Sequence, residues 1–332
     1  MVPYHRLYIE LSDLESSVCV ILFLFLLRLR PSKSKPKSMK MSATILSKPM
    51  KWAIGGWSFF IVENFILSEN RTYLISKFGE DAYHYTYGTL STAAMSSVFY
   101  GYFRKVKDAP PLLFKGPAAP VGAKVMSFVC LSLGFGFLSQ IPPKLQFPVH
   151  FVTGNNGNKN GLDENSTIAT SAAASPVQSF DNDGGGVGGG WKVRCPFDFT
   201  DSKHDTNSPV HGLERITRHP GLWSFGLIGL GNAFLVPSLP QRVFFAMPSM
   251  VALIGGAHTD SRFRRGMGGN LSPEYDSVTS NVPFVALLSG AQGNLLELMN
   301  DFSSEVKPLN AAIAASIAAV WVVSKGRVVP RR

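Results

Sequence analysis

The stretch ERITRHPGLWSFGLIGLGNAFLVP, residues 214–237, decides how this chain is read. It opens on charge, with Glu214, Arg215, Arg218 and His219, and then meets Pro220. From there to Pro237 every residue is uncharged and most are apolar. Proline suits the first turn of a helix, where its missing N–H removes no hydrogen bond. The pattern predicts a helix starting at Pro220, with Arg218 and His219 at its mouth on a membrane surface. Asn232 falls a dozen residues further on, roughly 18 Å along the axis at 1.5 Å per residue.

Working outward, other segments match it. The spans predicted before it are 52–68 (WAIGGWSFFIVENFILS), about 84–103 (HYTYGTLSTAAMSSVFYGYF) and 121–141 (VGAKVMSFVCLSLGFGFLSQI). After it come 241–257 (QRVFFAMPSMVALIGGA), with Pro248 inside, and 308–323 (PLNAAIAASIAAVWVV). Ala311, Ala315 and Ala319 give the last one small-xxx-small spacing, a close packing face between membrane helices. The fold class expected is all-α: a polytopic helical membrane bundle of about six spans, with both termini on one side. Residues 258–280 read as a polar basic loop, and VPFVALLSG is too short to span.

Composition agrees. Charged residues make up 16% of the 332, where soluble domains carry about a quarter. Net charge is +10, and the first 51 residues hold nine Lys or Arg against Glu10, Asp13 and Glu15. That basicity is terminal and lacks interleaved aromatics, which argues against nucleic acid as a partner. Segment 1–51 reads as targeting or disordered: an apolar run at 17–27, then a Lys-, Ser- and Pro-rich stretch without acids at 31–51. A start at Met39 or Met41 is the competing reading. Residues 151–211 form a low-complexity insertion, with NNGNKNG and DNDGGGVGGG unable to bury an apolar face. Cys19, Cys130 and Cys195 have no metal-binding spacing.

Alternating passes bring ionisable groups to the side opposite the termini, the far side. Glu63 lies near the end of the first span, about 7–8 Å below the surface. His84 begins the second, Arg218 and His219 the fourth, and His258, Asp260 and Arg262 follow the fifth. Charges within a bilayer are costly and usually find partners or face the bundle interior. Glu63 therefore needs a partner, and Arg218 or a protonated His is the candidate. His258 beside Asp260 resembles a carboxylate-oriented imidazole. Arg262, Arg264 and Arg265 read as contacts to lipid headgroups, and Asn232 as an interhelical hydrogen-bonding residue. The basic loop 104–120 and the two tails favour the side of the termini as cytoplasmic or stromal. The cluster at 262–265 opposes that orientation.

RITRHP at 215–220, HTDSRF at 258–263 and TSNVPF at 279–284 together resemble the NnrU-domain membrane proteins, a family that includes plastid 15-cis-zeta-carotene isomerases. IVENFILSENRTYLISKFGEDAYHYTYGTLSTAAMSSVFYGY at 61–102 looks like that family's first helical hairpin. The resemblance runs over roughly 50–325, the NnrU-like domain being 52–325 around the insertion. It implies cis–trans isomerisation of a polyene in an organelle membrane, a lipophilic substrate and the bilayer as partners, and haem b as cofactor. Catalytic positions would be Arg218, His219 and Glu63. Cofactor-binding positions would be His219, His258 and Asn232. The family's haem histidines fall at Glu63 and Asn232, and neither is histidine here; haem usually takes His, Met, Cys or Tyr. Two other functions stay open: a non-catalytic scaffold that has lost the haem ligands, and an RHP-type membrane methyltransferase or reductase.

Overall fold

The computed structural model describes residues 47–111, 113–114, 119–141, 149–152, 190–193, 210–267 and 269–326. Residues 1–46, read from the sequence as a targeting or disordered segment, lie outside the described residues, and so do residues 151–211 apart from 151–152, 190–193 and 210–211. β1 (Val149–Val152) pairs antiparallel with β2 (Gly190–Val193), with Val149 opposite Val193. Apart from this two-stranded ribbon the regular elements among the described residues are helical, as the all-α expectation has it.

Six long helices stand where the sequence places them. They are α1 (Lys48–Glu69), α3 (Glu80–Gly101), α4 (Val121–Gln140), α5 (Pro220–Leu235), α6 (Leu239–Arg264) and α10 (Pro308–Lys325). Short helices fill the connections: α2 (Arg71–Phe78), α7 (Pro273–Val278), α8 (Val285–Leu288) and α9 (Leu295–Glu305). Prolines and caps start several of them. Ser47 accepts from Met50 N at the head of α1, Ser272 from Tyr275 N at the head of α7, and Pro220 and Pro308 open α5 and α10. A π-helical turn, Tyr102–Val106, extends α3.

Packing arranges the long helices in a row, α3–α1–α6–α5–α4–α10, each against the next. Ala53, Trp57, Phe60, Val98, Phe244 and Val251 fill the α3–α1–α6 side. Leu131, Leu235, Ala318 and Val322 fill the α5–α4–α10 side. Glycines let the middle helices approach. A Cβ on Gly229 would lie 2.6 Å from Phe245 O and 2.9 Å from Pro248 Cγ on α6. One on Gly231 would lie 2.6 Å from Leu131 Cγ on α4. At the end of α5, Arg242 is buried and donates to Ala233 O (3.1 Å), satisfying a carbonyl the helix leaves open.

Three expectations change. Of the six helices, two, α4 and α10, are long and apolar enough to cross a membrane by length and composition. α5 has 16 residues, and α3 carries Thr, Ser and Tyr along its length. Residues 258–264 belong to α6 instead of a loop. On α10 the buried stripe is Ala314, Ala318 and Val322, one register step from the alanines the spacing suggests.

Gly229→Ala is expected to lower the thermal midpoint in detergent, with an overpacking cost of about 1–3 kcal/mol. A Cβ at Gly136 meets nothing within 4 Å, so Gly136→Ala is expected to leave the midpoint unchanged or raised. Circular dichroism melts of the two variants beside the parent decide it.

Candidate functional site

The far-side end of the row carries a buried polar layer, built by two turns of chain folded onto the end of α6. Residues 216–218 lie against 280–284, joined by Arg218 N to Ser280 O (2.9 Å) and Phe284 N to Ile216 O (2.9 Å). Phe284 takes a left-handed backbone, φ 68°, that a bulky residue adopts only when its surroundings impose it. Thr217 donates to Asn281 O. Asn281 accepts from Trp223 Nε1 (3.2 Å) and donates to Leu253 O (3.0 Å), so one amide joins the turn to α5 and α6. Gly256 makes room: a Cβ there would collide with the Asn281 side chain and sit 2.8 Å from His219 Cδ2.

Within this frame Asp260 is the centre. Arg218 Nη2 donates to Asp260 Oδ2 at 2.6 Å, and His219 Nε2 lies 2.8 Å from Asp260 Oδ1. Arg218 Nη1 reaches Asp276 Oδ1 at 2.5 Å and Thr279 Oγ1 at 3.3 Å. Arg264 closes the circuit, its Nε and Nη2 donating to Asp276 at 2.7 and 2.9 Å. Arg218, His219 and Asp260 are all buried. Two charges out of water are tolerated when the geometry is close and most donors are occupied; here both terminal nitrogens of Arg218 are bonded and its Nε is buried without a partner.

Around the layer, Tyr275 OH donates to Glu214 Oε2 at 2.8 Å. Burial and the neighbouring Glu214 carboxylate hold the Tyr275 phenol far above its usual range. Arg215 grips Glu305 on α9 through Nε (3.0 Å) and Nη2 (2.9 Å), and Gly212 N adds a third donor at 2.6 Å. Arg215 first, and the Gly212 amide with it, pull the Glu305 carboxyl down to about 2 against the opposing effect of burial.

The sequence-predicted residues separate into different places. Arg218 and His219 meet through Asp260. Glu63 does not pair with Arg218. It accepts from Ser91 Oγ (2.9 Å) and Asn64 Nδ2 (2.8 Å) between α1 and α3, and Tyr87 OH donates to Asn64 in turn (2.6 Å). His258 does not pair with Asp260, because residues two apart on a helix point to different faces. Its Nδ1 is 3.8 Å from Glu69 Oε2, its ring lies 4.4 Å from that of Phe65, and its Nε2 is buried without a partner. His84 contacts Glu80 on its own helix at 3.4 Å. Asn232 faces α10: it donates to Ile228 O (2.8 Å) and accepts from Trp321 Nε1 (3.0 Å). The three arginines read as headgroup contacts have protein partners instead. Arg262 donates to Ser68 (2.6 Å), Arg264 binds Asp276, and Arg265 binds Glu69 (2.6 and 2.9 Å).

Haem does not fit the axial pair that the resemblance implies. Both Glu63 oxygens and both ends of the Asn232 amide are engaged by protein. No group of three or more His, Cys, Asp or Glu is placed to hold a metal ion among the described residues. Asp276, Thr279, Asn281, Thr217 and Glu69 are the residues that sequence reasoning missed. TSNVPF marked their neighbourhood, but nothing local marked their partners.

Residues 52–325 match the family model described as NnrU protein. No curated protein and no solved structure matches the chain.

Asp260→Ala is expected to cost about 3–5 kcal/mol of stability, because it leaves Arg218 buried beside one carboxylate instead of two; chemical unfolding in detergent measures it. The Glu305 clamp has its own pH signature. A carboxyl whose folded pKa is depressed contributes stability above its unfolded value and loses it as pH falls through the folded one. Protection of the amides at Gly212 and in α9, measured against the unprotected exchange rate at each pH, is therefore expected to fall between about pH 4.5 and 2 in the parent, and to be low throughout in Glu305→Gln.

Proposed function

The chain belongs to the NnrU protein family, and from that membership we propose that it is a six-span integral membrane protein acting as a non-catalytic scaffold. The membrane reading is supported by where the apolar surface lies. α1, α3, α4 and α10 expose large hydrophobic side chains such as Val62, Phe99, Val125, Ile313 and Val320, while the described residues of α5 and α6 expose none. A soluble protein seldom leaves so much apolar surface uncovered, and lipid is the natural cover. α4 and α10, which pass the length and hydropathy test, form one edge of the row, and α3 and α1 the other. An organelle membrane, of plastid type, is the location that the basic, acid-poor segment 31–51 suits.

The observation that carries the scaffold reading is the closure of the signature residues on each other. Arg218 spends both terminal nitrogens on Asp260 and Asp276, and His219 Nε2 faces Asp260. The motif that names the family holds α5, α6 and the 273–281 turn together. With Glu63 and Asn232 bound to neighbouring helices, the haem positions of the resembled isomerases are structural here.

One observation favours a second reading, isomerisation of a polyene. His258 has a buried, unpartnered Nε2 and a carboxylate near its other ring nitrogen. Such a carboxylate orients an imidazole toward a ligand. If haem binds, His258 would hold it through Nε2, with the Glu69 carboxylate 3.8 Å from the other ring nitrogen; haem would supply the redox-active iron.

Alkaline carbonate washing is expected to leave the protein in the membrane pellet; release into the supernatant contradicts the membrane reading. After haem-replete expression the purified full chain is expected to show no Soret band, and cells fed a cis-carotene no change of isomer. A Soret band that disappears in His258→Ala, with isomer conversion, replaces the scaffold reading with the second.

A further inference from the structure

With the row placed across a membrane, as proposed above, its two ends differ in a way that bears on which lipid each meets. The near side is where α1 and α6 begin and where α3, α5 and α10 end. Its parts form one connected surface. Trp52 at the head of α1 packs on Tyr100 at the end of α3, ring centroids 5.5 Å apart. Gln241 at the head of α6 donates to Lys107 O, just past the π-helical turn. Leu113 N donates to Pro237 O (2.8 Å), and Ala119 N to Gly326 O (3.1 Å), which ties the head of α4 to the end of α10.

This surface carries Lys48, Lys51, Arg104, Lys105, Lys107, Lys124 and Lys325, and all but the partly covered Lys124 are exposed. Asp108 is the single carboxylate among the described residues of the same surface. On the far side five arginines are instead committed to protein partners. Arg215 pairs with Glu305, Arg218 with Asp260 and Asp276, Arg264 with Asp276 and Arg265 with Glu69. Arg262 is buried against Ser68. Cations neutralised by a carboxylate partner exert little field on a bilayer surface, whereas exposed ones without such a partner attract anionic headgroups, each by about 1 kcal/mol.

We propose that the near-side surface, from Lys48 and Lys51 through Arg104, Lys105 and Lys107 to Lys124 and Lys325, binds anionic phospholipid headgroups. The row then sits with this end in the more anionic leaflet. The aromatic rings beside the cations, Trp52, Tyr100, Tyr102 and Trp321, stand at the depth where amphipathic rings anchor a helix. Lys325 lies 5.7 Å from the ring centroid of Trp321.

The test uses the full chain in nanodiscs and begins with phosphatidylcholine alone. Failure to insert there sinks the membrane reading and this proposal with it. Once inserted, spin-labelled phosphatidylglycerol and phosphatidylcholine are compared for association with the protein. A preference of about fivefold for phosphatidylglycerol is expected, the worth of about one surface cation, falling as salt rises. It is expected to vanish in a variant with Lys48, Lys51, Arg104, Lys105, Lys107 and Lys124 all changed to Gln. It is expected to persist when Arg71 and Lys77, on the far side, are changed instead. Equal association of the two lipids, or a preference that survives the near-side variant, overturns the proposal while leaving the membrane reading standing.

Discussion

One buried carboxylate, Asp260, holds the far side of this protein together. It sits near the end of α6 and takes Arg218 on one oxygen and His219 on the other. Arg218 and His219 lead directly into α5, so the pair fixes where α5 enters the row. Arg218 then passes the connection to Asp276, and Asp276 to Arg264, so the circuit returns to α6. A carboxylate so buried would be costly alone; with two donors it becomes the point at which three chain segments agree on one geometry.

The rest of the row depends on close approach. α5 is the shortest of the long helices, and it is glycine-rich because it must fit between α4 and α6. Gly229 meets the backbone and Pro248 of α6, and Gly231 meets Leu131 of α4. Small residues let membrane helices come close enough for dispersion to hold them. The flanking helices then complete the cover, with their outer faces apolar and their ends sorted by charge.

The sequence carried the helices well and the partners poorly. Length of apolar run and flanking prolines located α1, α3, α4, α5, α6 and α10, since those features act locally. The true end of α6 was hidden. HTDSRFRR looks like a loop because it is polar, yet two of its arginines find partners in remote chain: Ser68 and Glu69 lie nearly two hundred residues from Arg262 and Arg265. The depth of Asn232 was legible and its direction was not. It turns to Trp321 on α10, away from the polar layer. His258 and Asp260 stand two apart in sequence and take different partners, Glu69 and His219. Adjacency along a helix says little about adjacency in space. The motifs RITRHP and TSNVPF flagged the right neighbourhood, because both contribute to the same clamp, but the clamp itself needs coordinates.

If Asp260 is the junction described here, its energy should be shared with Arg218 and not merely its own. A double-mutant cycle on the full chain in detergent, with Arg218→Gln, Asp260→Asn and the pair, measures that sharing directly. The account predicts a coupling of about 1.5 kcal/mol or more between the two positions, since they touch within one charged network. Stability losses that simply add, to within about 0.5 kcal/mol, would contradict it.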